Sequence, residues 1–245
     1  IPIKNHTLIA ILKKEFNSFF ASPIAYLVIG VFLLINGLFL FIFKGDFNIL
    51  NAGFADLNPF FFLTPWVFIF LIPAITMKSF ADEFNNGTIE LLKTKPISNW
   101  QIVLGKFWAA LLLVVLALIP TITYVYTVYQ LANPIGNIDF GATIGSYIGL
   151  LFLAATYTAI GLFTSTLSKN QIVAFILGVF STFFLFYGFD AISNSFDNNL
   201  TIQQIGINEH FKSISRGIID TRDLVYFISV TIFFLFITKT RLENE

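Results

Sequence analysis

Six long apolar stretches account for most of the 245-residue chain, and none has an acidic or basic residue in its interior, Lys106 standing at the start of the third. A membrane-spanning α-helix needs about 20 mainly apolar residues, whereas an outer-membrane strand needs about ten with strict alternation. These runs are long and do not alternate, so the expected class is an all-α, polytopic membrane bundle.

Soluble domains carry about 25% charged residues; here the share is 11%, against 56% hydrophobic, with a mean hydropathy of +0.81. A soluble fold is excluded. There is no cysteine, which removes thiol chemistry, disulfides and cysteine-based metal sites, and His6 and His210 are too far apart in sequence to build a histidine site. Net charge is zero, so no attraction to nucleic acid is implied. No small-residue cleavage site follows the first apolar run, which is expected to be a retained anchor.

Residues 4–20 precede the spans and read as an amphipathic interfacial helix, with Leu8, Ile11, Leu12, Phe16, Phe19 and Phe20 recurring every three or four positions among Lys13, Lys14 and Asn17. Pro23 separates this helix from the first span. The six spans are placed at 24–43, 59–77, 102–129, 141–167, 172–189 and 224–238. The last is short for a span, and Arg222 and Lys239 are expected to bracket it by snorkelling. Residues 190–222 form an extracytoplasmic segment in which Ile207, Phe211, Ile214 and Ile218 predict a helix with one apolar face, giving a helical hairpin before the last span.

Orientation follows from Lys and Arg in the connections. With the N-terminus inside, ten basic residues, from Lys4 to Arg241 and including Lys78, Lys106 and Lys169, fall on the inner side; Lys44, Lys212, Arg216 and Arg222 fall outside. Both termini are therefore expected to be cytoplasmic. Tyr26, Trp100 and Trp108 at the inner boundary, and Tyr129, Tyr147, Tyr187 and Tyr226 at the outer one, fit aromatic belts.

The inner connection, 78–101, is the most informative stretch. It joins acidic residues to an apolar cluster of Phe80, Phe84, Ile89, Leu91 and Leu92, and its Gly87-Thr88 step offers a helix start with Thr88 as N-cap. Glu83, then Gly87 through Glu90 to Leu91-Leu92, then Pro96 and Gly105-Lys106 resemble the first inner loop of the transmembrane subunits of type 2 ATP-binding-cassette (ABC) exporters. That resemblance covers essentially the whole chain and implies a cytoplasmic coupling helix seated in a groove of a separate cytosolic ATPase. It further implies a second permease chain, identical or related, with ATP and magnesium held by the ATPase and no cofactor by this chain. The coupling residues would be Phe80, Glu83, Phe84, Gly87, Thr88, Ile89, Glu90, Leu91 and Leu92, with Lys169 in the turn between the fourth and fifth spans as a smaller contact. A bacterial inner-membrane location follows. The segment from His210 to Phe227 is most similar to the permease subunit associated with bacterial gliding motility.

The residues agree with the resemblance on one point. No phosphate-binding loop of the Gly-x4-Gly-Lys-Ser/Thr type occurs, so the chain is not its own ATPase by that route. Charge reversal at Glu83 or Glu90 is expected to weaken docking and leave insertion intact. Gly141, Gly145 and Gly149 put three glycines on one helix face, for packing within the subunit or between subunits. Pro65, Pro73 and Pro120 are expected to kink their helices. Asn36, Thr121, Thr123, Thr156 and Thr158 are the main polar groups in the spans, fit either for lining a path or for interhelical bonding. A secondary transporter would bury ionisable groups or show inverted repeats, and an intramembrane enzyme would need converging nucleophile and base. Neither pattern is evident. A membrane anchor assembling other proteins through 190–222 is the alternative.

Overall fold

The computed structural model describes residues 3–51, 53–94, 96–195, 200–217 and 220–244, with the side chains of 3–6, 91–93 and 200 outside that description. Among the described residues the fold is all-helical, with six helices long and apolar enough to cross a membrane.

Helix α1 (Ile3–Ala21) stops before Pro23, and α2 (Ile24–Gly37) runs through a π-turn to Ile42 as the first span. The second span, α3 (Asn58–Thr76), continues with a break at Met77 into α4 (Lys78–Asn85), and α5 (Thr88–Lys93) follows a turn. The third begins three residues before the apolar run. Ser98 caps α6 (Asn99–Leu118) by accepting from the Gln101 amide while the Gln101 side chain accepts from the Ser98 amide. A 3-10 turn at Ile119–Thr121 then leads into α7 (Ile122–Leu131). Asp139 caps α8 (Phe140–Ser165), the fourth span. The fifth comprises α9 (Gln171–Phe183), a π-turn and α10 (Phe189–Ser195). After α11 (Leu200–Gln203) and α12 (Ile207–Ser215), the sixth is α13 (Thr221–Asn244). Its 24 residues exceed the expected 224–238 because the helix continues through polar sequence at both ends.

Six crossings place α1, the end of α13, α4, α5 and the 166–170 turn at one end of the bundle, the proximal end, and α11 and α12 at the distal end. α8 sits at the centre and packs on α3, α6, α9, α12 and α13. Leu150, Leu153, Tyr157 and Ile160 are fully buried along it. α2, α9 and α13 lie at the periphery with most of their apolar surface outward, the arrangement lipid requires of a bundle with no apolar driving force between its helices.

Small residues set the closest contacts. A β-carbon on Gly178 would lie 2.9 Å from Pro73 Cβ, and one on Gly105 would lie 2.6 Å from Ile11 Cγ2, so α1 lies against α6 along the bundle flank. The glycine face of α8 receives α12. A β-carbon on Gly145 would lie 2.7 Å from the Ile214 carbonyl oxygen and one on Gly149 3.2 Å from the Phe211 ring, while Gly217, at φ +84°, presses its backbone on Gly141. Ile207, Phe211 and Ile214 are the buried face of α12; Ile218 lies outside the described residues, as does Lys95.

Pro120 stands in the 3-10 turn that breaks its helix, and Pro65 and Pro73 sit inside α3. The Tyr147 hydroxyl bonds Thr121 at 3.0 Å, and the Tyr226 hydroxyl donates to the Ile205 carbonyl at 2.6 Å. Within the spans, Thr156 bonds Thr231 across helices at 3.0 Å, and the Asn36 amide and the Thr158 hydroxyl donate to carbonyls of their own helices.

Candidate coupling site at the proximal end

The α4–α5 segment owes its shape to Gly87. At φ +66° its backbone is left-handed, a conformation that costs glycine little, and it closes α4 just after the Asn86 C-cap. Thr88 is then the first residue of α5 and not its N-cap. Its hydroxyl turns back toward the Glu83 carbonyl at 3.5 Å, so the cap expected there is replaced by the glycine turn.

Phe80 is fully buried and Ile89 nearly so, and Phe84 packs against the same core. The side chains of Leu91 and Leu92 lie outside the described residues. These contacts tie the segment to the bundle as one body.

The electrostatic centre is Lys106, counted in the sequence with the inner loop charges but 3% exposed within α6. Its ammonium donates to the Ser79 carbonyl at 2.7 Å, to Glu83 Oε1 at 2.8 Å and to Glu15 Oε1 at 3.2 Å, using its three N–H groups. The Phe80 ring lies beneath it, 5.1 Å from centroid to nitrogen. One cation thus fastens α1, α4 and α6. Glu83 is turned into the bundle, whereas Glu90, Asn85, Asn86 and Thr88 are exposed.

A second tie joins α4 to α9, where the Gln171 amide bonds Asp82. Beside it Asn85, Lys169, Asn170, Gln171 and Ile172 line an open cleft of about 380 Å³. The exposed Lys169 therefore stands across a cleft from the end of α4, and the structure places it near Asn85 although 84 positions separate the two. Gly141, Gly145 and Gly149 belong to the opposite end of the molecule.

Sequence reasoning missed the Glu15–Lys106–Glu83 cluster and the Asp82–Gln171 tie. The available signal was the lone lysine in an uncharged run, since a buried cation calls for a carboxylate. No group of three or more His, Asp or Glu able to hold a metal occurs among the described residues.

This geometry can transmit force. An exposed turn at the tip of α4–α5 is anchored by apolar contacts and a buried ion cluster to α1 and α6, and by a hydrogen bond to α9. No curated protein matches the chain. A family model described as ABC-2 family transporter protein matches residues 9–231, a stretch that includes α4, α5, α6, α9 and most of α1, and the chain belongs to the ABC-2 transporter family.

Proposed function

We propose that the chain is the permease half of an ABC exporter in a bacterial inner membrane, with the proximal end and both termini in the cytoplasm. Two permease chains, identical or related, would stand over two cytosolic ATPase subunits that bind the ATP and magnesium. The observation that carries the reading is the α4–α5 tip, exposed at Asn85–Thr88 and Glu90 yet bolted through Lys106 to α1 and α6. Closure of the ATPases would push this tip, and the ion cluster would pass the displacement into α1 and the third span. Phe80, Phe84 and Ile89 hold the tip's shape, Glu90 and Lys169 are its charged contacts, and Leu91 and Leu92 complete the segment. The likeness of the His210–Phe227 segment to gliding-motility permeases supports a role in that machinery, tested by whether deletion of the gene abolishes gliding.

Affinity purification of the tagged chain from native membranes tests the coupling. A phosphate-loop ATPase is expected with the unaltered chain and is expected to be lost with Glu90→Lys, which changes an exposed side chain. Glu83→Lys would oppose Lys106 from within and so measures folding as well as docking. Absence of any ATPase in a preparation that retains other membrane complexes would defeat the reading.

A further inference from the structure

At the distal end His210 has a hydrogen-bond acceptor at each ring nitrogen. Nδ1 faces Asp223 Oδ1 at 2.7 Å, and Nε2 faces the Gln204 carbonyl oxygen at 2.9 Å. A carbonyl can only accept, so Nε2 carries hydrogen. A neutral imidazole has a single N–H, which leaves Nδ1 as a bare lone pair against a carboxylate oxygen. The pair therefore needs one proton more than a neutral imidazole and an ionised carboxylate supply. Three observations place that proton on the ring. Asp223 is 5% exposed, its Oδ2 has no hydrogen-bond partner, and among the described residues its ion-pair partner is His210. It stands in the first turn of α13, where the helix dipole favours the ionised carboxylate. The Tyr226 ring is stacked on the imidazole, 3.8 Å between centroids, and an aromatic face attracts a cation.

The other charged groups at this end have their own partners or face solvent. α12 packs on α8, α13 and the π-turn at Phe184–Gly188, and neither α8 nor that π-turn contains a charged residue. Asp190 pairs with Lys212 at 3.6 Å, Glu209 accepts from Gln203 at 3.3 Å, and Arg216, Asp220 and Arg222 are exposed. We propose that His210 and Asp223 bind a proton, carried on the imidazole, and that this proton latches the turn between α11 and α12 to α13. The imidazolium joins the Gln204 carbonyl to Asp223, and the Tyr226 hydroxyl holds the next carbonyl, that of Ile205. Loss of the proton sets a lone pair against Asp223 Oδ1, and a buried acceptor without a donor is costly. With the turn released, the imidazole is solvated and gives up its proton near the ordinary value of about 6.5. The latched form binds one proton more than the released form above that pH, so the latch is at full strength below it and weakens as pH rises. That the latch senses the pH outside the cell rests on the orientation proposed above; the proton site does not.

The test uses the full chain in nanodiscs with His6→Gln, which leaves His210 as the one histidine, isotope-labelled on its ring nitrogens. Nuclear magnetic resonance at about pH 7.5, where a free imidazole is mostly neutral, is expected to show hydrogen on both nitrogens. Asp223→Asn presents an amide donor to Nδ1, so a neutral ring then satisfies both contacts, and a bare Nδ1 is expected in that variant at the same pH. Limited proteolysis within residues 200–217 gives a second readout. The cleavage rate of the parent relative to Asp223→Asn, a ratio that cancels the protease's own pH dependence, is expected to rise about threefold or more between about pH 6.5 and about pH 8.5. A bare Nδ1 in the parent, hydrogen on both nitrogens in Asp223→Asn, or a rate ratio that stays flat with pH overturns the proposal. Because no ATPase is present, these outcomes are independent of the coupling experiment.

Discussion

Replacing Lys106 by Met nearly preserves the length of the side chain and deletes the charge at the hub of three helices. With Nζ 2.8 Å from Glu83 and 3.2 Å from Glu15, the two attractions amount to about 6 and about 5 kcal/mol at an effective dielectric near 20. The carboxylate oxygens are no farther apart than those two distances laid end to end, about 6 Å, and so repel by about 3 kcal/mol. Desolvation of three nearly buried charges, several kcal/mol each, offsets most of the attraction. The intact cluster is thus worth little, but loss of its centre is not neutral. It strands two carboxylates facing each other, and Lys106→Met is expected to destabilise the chain by about 3–5 kcal/mol. Glu15→Gln, Lys106→Met and Glu83→Gln combined leave no charge there and are expected to recover most of that loss. Equilibrium unfolding in mixed micelles measures both. A single variant within about 0.5 kcal/mol of the parent, or a triple variant no better than the single, would refute the reasoning.

Two further outcomes are expected. Gly145→Ala sets a methyl group against the Ile214 carbonyl, which backbone cannot yield cheaply, and should lower stability by roughly 1–3 kcal/mol in the same unfolding assay, while Gly30→Ala, with open space around it, should not. At the distal end His210 Nδ1 lies 2.7 Å from Asp223 Oδ1 and its Nε2 2.9 Å from the Gln204 carbonyl, with the ring stacked on Tyr226. His210→Leu leaves the buried Asp223 carboxylate without that partner and is expected to cost about 1–3 kcal/mol and to speed proteolysis of the α11–α12 hairpin.

The spans were readable because twenty apolar residues in a row have few folded alternatives. Their ends were not, since α6 begins on the Ser98–Gln101 capping box and α13 runs on to Asn244 through residues that carry no apolar signal. Within the candidate site, the glycine turn at Gly87 was visible, and so was the apolar set of Phe80, Phe84 and Ile89. The direction in which Glu83 points was not. Its partner is 23 positions away and shares its cation with a residue 91 positions from that cation, and local periodicity says nothing about such pairs. The hydroxyl partners of Tyr147 and Tyr226 were illegible for a related reason: they lie on neighbouring segments 26 and 21 positions away, and only the fold brings them together.

α8 has one more consequence. Its 26 residues form an α-helix without an internal proline, about 39 Å from end to end, whereas α3 contains two prolines and the third span is broken at Pro120. Near its proximal end Gly161 abuts Thr76, directly before α4, and near its distal end Gly145 abuts the α12 backbone. At the distal contact the neighbour is backbone, and at the proximal one it is the short, β-branched side chain of Thr76, so neither has a long side chain to absorb a shift. Under the proposed coupling, the central helix would therefore serve as a pushrod, carrying a tilt imposed where the second span meets α4 to the hairpin at the distal end.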